Sequence, residues 1–210
     1  MPLVTYGIAV LPDAHAKHSI INMSTKIASI IPLRFQLGDS KNLPHLTLYQ
    51  SVFDEEQTEE LKKELDRISI PLFLFVSLFA FEPRHIAIFS SSFIFLDVAL
   101  NDNLYGVHYG TLERFRHLRA KNNAPAQELR GLTEAEIENI RWYGSPFCRK
   151  EFRPHITLGR AESPISDEQL ANIRSACCMP SPFMCPPELV LYRAGVDGEC
   201  LEILHGSPLK

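Results

Sequence analysis

The chain has no long hydrophobic run. Its most apolar stretch, Ile70 to Phe81, is too short to span a bilayer, contains Pro71 and is broken by Glu82-Pro83-Arg84-His85. It reads as a buried strand rather than a membrane helix. Positive charge is not in excess either: the formal net charge is -4 over 210 residues. That argues against an extended grip on duplex nucleic acid built on bulk basicity, and leaves room for a small or single-stranded ligand held by a few local cations. Cysteine is scarce. Cys148, Cys177, Cys178, Cys185 and Cys200 are odd in number and show no Cys-x-x-Cys spacing. Reduced thiols in a cytoplasmic protein fit better than a disulfide framework, and Cys177, Cys178 and Cys185 lack metal-ligand spacing. Met1 to Tyr6 holds no basic segment leading into an apolar one, so no signal peptide is expected. There is no low-complexity tract or long linker, and the length suits one domain spanning 1-210.

What the chain does contain is one phrase written twice: Pro44-His45-Leu46-Thr47-Leu48 and Pro154-His155-Ile156-Thr157-Leu158. On a strand, alternate side chains share a face, so His45 lies with Thr47 and His155 with Thr157, while Leu46, Leu48, Ile156 and Leu158 point to a core. A lone His-x-Thr arises by chance in roughly one chain in three or four of this composition, and would mean only a strand with a polar face. Two copies sharing the preceding proline and the trailing leucine are much rarer. Each copy is followed by a short break and a helical pattern, Glu55 to Ile68 and Ser166 to Ala176, the second opened by a Ser166/Gln169 capping box. A strand–loop–helix unit thus occurs twice, which suggests an internal repeat with approximate two-fold symmetry.

The remaining elements follow from periodicity and punctuation. A strand is expected over Tyr6 to Leu11, then a helix capped by Asp13 running to about Ile30, then a half-buried strand over Leu33 to Leu37. After the first motif come strands at Leu72 to Phe81, His85 to Ser90 and Phe93 to Leu100, and a helix capped by Asn101 or Asp102 that runs to about Lys121. Asn122 to Gly131 reads as a loop, Thr133 with Glu136 as a capping box for a helix over Glu134 to Tyr143, and Pro180 to Pro187 as a loop. Glu188 to Ala194 and Glu199 to His205 form a closing hairpin around Asp197-Gly198. Interleaved strands and helices point to an α+β fold with two sheets backed by helices.

Paired His-x-Thr motifs preceded by proline resemble the 2H phosphoesterase superfamily. The similarity is to its LigT-like branch, which holds RNA 2′,3′-cyclic phosphodiesterases and the so-called 2′-5′ RNA ligases. It covers most of the chain, and its specificity rests on the two motifs. The resemblance implies a bilobal, pseudo-two-fold fold with two antiparallel sheets lining a central cleft and helices outside. It also implies hydrolysis of 2′,3′-cyclic phosphate or 2′-5′ phosphodiester bonds of RNA or nucleotides without a metal or other cofactor. His45, Thr47, His155 and Thr157 match the family pattern, so neither half is degenerate. By the same resemblance His155 activates water and His45 is the acid. The motifs are further apart than is usual for the family. The surplus falls between Asn122 and Phe152, an expected insertion that forms an extra helix or lid near the cleft.

The residue chemistry suits that reaction. A neutral imidazole can take a proton from attacking water and an imidazolium can give one to the leaving ribose oxygen, both near neutral pH. Threonine hydroxyls can donate to the phosphoryl oxygens. Around the motifs, Arg153 shares the face of His155 by alternation and Arg160 follows the second motif; both are candidate phosphate contacts, with a surface ion pair as the bland alternative. Tyr49, Phe35 and Trp142 are candidate stacking surfaces for a base, though core packing is the commoner fate of such residues. His85, His108, His117 and His205 have no partner motif. The substrate is expected to be a nucleotide or an RNA terminus, held by a cytoplasmic monomer with no membrane association. The alternative is a non-catalytic module of the same fold that binds RNA ends or nucleotides. A metal site at His45 and His155 would need carboxylates or further histidines at ligand spacing, and none flank the motifs.

Overall fold

The computed structural model describes residues 2–76, 80–120, 132–184 and 188–208. In chain order the elements are β1 (Leu3–Val10), α1 (Ala14–Ile30), β2 (Leu33–Gln36), β3 (Leu46–Asp54), α2 (Thr58–Val76), β4 (Ala80–Phe81), β5 (Pro83–Phe89), β6 (Phe93–Val98), α3 (Asp102–Phe115), α4 (Glu134–Tyr143), β7 (His155–Ala161), α5 (Asp167–Ala176), β8 (Phe183–Met184), β9 (Glu188–Ala194) and β10 (Cys200–Pro208). Short 3-10 turns follow β3 and α3 and precede β7. The helix starts lie where the sequence puts them. Asp13 accepts from the Ala16 amide, Asn101 from the Leu104 amide, and both Thr133/Glu136 and Ser166/Gln169 close as full capping boxes.

The main sheet runs β10-β9-β1-β3-β7-β6-β5, antiparallel throughout, with β2 alongside the far end of β7; β4 and β8 pair apart from it. It is two half-sheets joined at one place, because β3 and β7 meet only at Leu46 and Ile156. The order strand, helix, motif strand, helix occurs in each half: β1-α1-β3-α2 and β6-α3-β7-α5. The helices exchange partners across the join. α1 lies against β7 and α5, and α3 lies against β3 and α2. The pseudo-two-fold axis therefore passes close to the Leu46–Ile156 pair. Those two residues, with Leu48 and Leu158, are all at most 1% exposed, in the core shared by both halves.

Each motif strand carries a bulge at the same place. β1 pairs Ile8 with Tyr49 and then Ala9 with Thr47, passing over Leu48. β6 pairs Ile94 with Gly159 and then Phe95 with Thr157, passing over Leu158. An extra residue shifts the alternation by one. After Leu48, Tyr49 turns inward and Gln50 outward; after Leu158, Gly159 turns inward and Arg160 outward.

One strand expectation is overturned. Leu72 to Phe81 is not a strand: α2 continues to Val76, and only Ala80–Phe81 pairs as strand, with β8 inside the expected Pro180–Pro187 loop. A short apolar run without polar alternation has no period that separates a buried strand from a buried helix. The expected loop from Asn122 to Gly131 lies outside the described residues. Among the described residues no helix is long and apolar enough to cross a membrane.

Candidate active site

The geometry of the join builds the site. Around an antiparallel pair, the residue before one partner stands across from the residue after the other. With Leu46 opposite Ile156, His45 faces Thr157 and Thr47 faces His155, all on the side away from the core. The four side chains line one cleft of about 700 Å³.

Both imidazoles are set the same way. His45 Nδ1 is 2.8 Å from the Leu43 carbonyl and His155 Nδ1 is 2.7 Å from the Arg153 carbonyl, in each case the residue two before the histidine. A carbonyl accepts only, so Nδ1 carries the proton in both neutral rings and Nε2 is the nitrogen left without one. Each ring is backed by an aromatic: Phe95 stacks on His155 at 3.8 Å between centroids, and Tyr192 lies 4.6 Å from His45. Burial lowers both pKa values. His155 is brought to about 4, with the neighbouring Asp97 carboxylate opposing the shift and Arg153 and His45 adding to it. For His45 the loss of water is offset by the Leu43 and Gly198 backbone groups, both of which favour the protonated ring.

The cations are tethered rather than loose. Arg153 lines the cleft and its guanidinium contacts Asp97 at 2.9 Å; Asp97 is the cross-strand partner of His155 and also lies 3.3 Å from His85. Arg160 lies over the Phe93 ring at 4.5 Å and pairs with buried Asp197, which Arg34 holds from the other side at 3.3 Å. Asp197 belongs to the β9–β10 turn, whose Gly198 sits at φ 81, a left-handed backbone that favours glycine. Arg160 thus fastens that turn over the His45 end of the cleft.

The expected stacking residues fall elsewhere. Tyr49 borders the cleft, but the bulge turns its ring inward, 2% exposed, with its phenol donating to the Tyr143 carbonyl at 2.7 Å. Phe35 is spent covering the core from β2, and Trp142, 62% exposed on α4, stands outside the cleft. The cleft's aromatic wall is instead Phe89, Phe93, Phe95 and Phe147, on the His155 side. Phe89 meets Phe147 edge-on at 5.1 Å, and Phe147 lies 6.2 Å from His155. Leu132 and Ser145 to Cys148 also line the cleft, so both ends of the described part of the expected insertion reach it.

His108 is a joint rather than a bystander. Its Nδ1 donates to the Leu48 carbonyl at 2.6 Å, and its Nε2 accepts from the Arg149 amide at 3.0 Å, with Phe152 stacked on the ring at 3.8 Å. Leu48 is the bulge residue, whose carbonyl has left the regular ladder and takes its hydrogen bond from α3 instead. Among the described residues no three His, Cys, Asp or Glu side chains gather as metal ligands.

Comparison with known proteins gives a fold likeness. No family model matches the chain, and no curated protein matches it in sequence. Among solved structures, E. coli LigT complexed with 3′-AMP is 17% identical with a TM-score of 0.53, over 100% of this chain and 97% of that one. LigT in apo form matches at 17% identity with a TM-score of 0.48, over 100% and 96% of the two chains. A structure described as a phosphoesterase matches at 14% with a TM-score of 0.41, over 99% and 96%. With its half-sheets joined at the two motif strands, this chain has the fold of LigT.

Proposed function

We propose that the protein is a metal-independent phosphodiesterase that hydrolyses 2′,3′-cyclic phosphate or 2′-5′ phosphodiester bonds of RNA or nucleotides by two-histidine acid–base catalysis. The observation that carries this reading is the matched setting of the imidazoles. Two rings, far apart in sequence, each give Nδ1–H to the carbonyl two residues back and line one cleft with a threonine opposite. One bare Nε2 takes a proton from water as it attacks phosphorus, and the other ring, protonated, gives one to the leaving oxygen. The family resemblance makes His45 the acid and His155 the base; in both rings burial lowers the pKa and neighbouring groups oppose it, the Leu43 and Gly198 backbone for His45 and the Arg153 backbone and Asp97 for His155. Thr157 and Thr47 flank the phosphoryl oxygens, and Arg153 and Arg160 offset their charge. A nucleotide terminus fits the cleft, with its base against the Phe89–Phe147 wall; that LigT was solved in complex with 3′-AMP supports a nucleotide as the ligand. Leu132 and Ser145 to Cys148, from the described part of the expected insertion, border this end of the site and act on substrate choice.

The test is a turnover screen of 2′,3′-cyclic mononucleotides, 2′-5′ dinucleotides and cyclic-phosphate-ended RNA, run with and without excess EDTA. Turnover that survives the chelator is expected. With both histidine pKa values below the ordinary 6.5, kcat/KM should trace a bell centred on the acid side of that value. Nucleotide binding without turnover of any of these would point to the binding module instead, and loss of most activity in EDTA would remove the metal-independent mechanism. Phe147→Ala should raise KM for base-bearing substrates by about tenfold, the scale of one base–aromatic stack, and leave kcat nearly unchanged. An unchanged KM would place the base elsewhere.

A further inference from the structure

We propose that Tyr192 is the positioning residue of the first motif, steadying the His45 ring with its face and setting the direction of the Thr47 hydroxyl with its phenol. The inference rests on the reading of the four motif side chains as the reacting groups. Tyr192 belongs to β9, which is separated from the motif strand β3 by β1. In that row of the sheet Gly7 of β1 lies between Tyr192 and Gln50, paired in register with both. Any side chain at Gly7 would stand in the way, and a methyl built there overlaps the Tyr192 ring. With only hydrogen at that place the phenol lies across β1 and reaches β3. Its oxygen is 3.0 Å from Thr47 Oγ1 and 3.0 Å from Gln50 Oε1. The ring centroid is 4.6 Å from that of His45, tilted by 55°. The residue is wholly buried, and burial raises the phenol's pKa, so it keeps its proton.

A count of protons gives the chain of hydrogen bonds a direction. The phenol has one proton. When it goes to Gln50 Oε1, the phenol oxygen accepts from Thr47, and Thr47 turns lone pairs rather than a donor to the cleft. Thr157 has no such tether among the described residues. If the Gln50 amide turns end for end, Nε2 gives to Tyr192, Tyr192 gives to Thr47, and the Thr47 proton is free for a phosphoryl oxygen. No atom is gained or lost; the sense of two hydrogen bonds reverses. An anion in the cleft favours the second sense, because it recruits donors. The two halves of the site thus differ: Thr157 is ready to donate, and Thr47 donates once Gln50 and Tyr192 have turned.

The experiment is a double-mutant cycle on 2′,3′-cyclic nucleotide turnover, paired with NMR titration of the His45 and His155 rings. Tyr192→Phe keeps the ring and removes the hydroxyl. It should lower kcat about three- to tenfold, the worth of one neutral hydrogen bond. Thr47→Ala should cost about a hundredfold, and adding Tyr192→Phe to it should cost nothing further, whereas Tyr192→Phe and Thr157→Ala should multiply. Tyr192→Leu removes the ring and should move the His45 titration while leaving that of His155 in place; Gly7→Ala, whose methyl displaces the Tyr192 ring, should move His45 in the same direction. Multiplying effects for Tyr192→Phe with Thr47→Ala, or a His45 titration unmoved in Tyr192→Leu, would overturn the assignment. Absence of turnover in the unaltered protein would count against the reading of the site, and the His45 titration would still decide the role of Tyr192.

Discussion

Alanine at either His45 or His155 is expected to lower kcat by about two to four orders of magnitude, the usual scale for an acid–base group. In the proposed mechanism both rings serve one proton-transfer cycle, so the double variant should fall little below the worse single one, since groups acting as a unit are not additive. The cost should be in turnover rather than affinity, because Thr157, Arg153 and Arg160 remain to hold the phosphate. Neither ring is part of the shared core: each is held by backbone groups and by contact with aromatic rings beside the cleft. The thermal midpoint of both variants should therefore stay close to that of the unaltered protein. Single-turnover rates on a 2′,3′-cyclic nucleotide, with melting curves alongside, are the measurement. A variant that is well folded and retains more than about a tenth of the rate would remove that histidine from the chemistry.

Acid should unfold this protein through His108. In the folded chain its pKa is lowered to about 4, because burial disfavours the charged ring. The Leu48 carbonyl opposes the shift, but the Arg149 contact adds to it: Nε2 accepts from that amide, so a proton placed there would set one N–H against another. The unfolded ring binds a proton near 6.5. Between those two values the unfolded state holds more protons than the native state, so stability rises with pH across that window. The contribution is complete above the upper value and lost on descent through the window, on the order of 3 kcal/mol for this group alone. His155 and His45, also lowered, act in the same direction. Urea melts between pH 4 and pH 7 read this directly. His108→Phe keeps a ring against Phe152 and loses both hydrogen bonds; it should be less stable at pH 7 yet show a flatter dependence on pH. An unchanged slope in that variant would clear His108 of the effect.

Much of this is legible in the amino-acid sequence. The paired motifs, the helix caps at Asp13, Asn101, Thr133 and Ser166, and the closing hairpin all follow from local chemistry, and the structure has them. What escaped was set by other strands. Alternation alone sends Tyr49 to the face of Thr47; the bulge at Leu48, which depends on pairing with β1, sends Gln50 there instead. Tyr192 lies 145 residues from Thr47 and sits in an apolar strand where a tyrosine reads as core. A faint sign of it exists in Gly7, since a glycine inside a strand often marks a close approach by another group. His108 has no motif around it, and only the fold shows that it links the bulge on β3 to the turn before β7. The aromatic wall combines Phe89 and Phe95, from two adjacent strands, with Phe147, which no local pattern joins to them.

The twin bulges also give the groove a head and a tail. By shifting the phase once in each half they bring the fifth residue after each histidine to the front, and there the duplication ends: an amide, Gln50, on one side and a guanidinium, Arg160, on the other. A ligand with a phosphorus centre midway between the rings therefore meets unequal neighbours to left and right. Of its two orientations across this nearly two-fold frame one is expected to be preferred, which under the proposed mechanism gives two similarly set imidazoles separate duties.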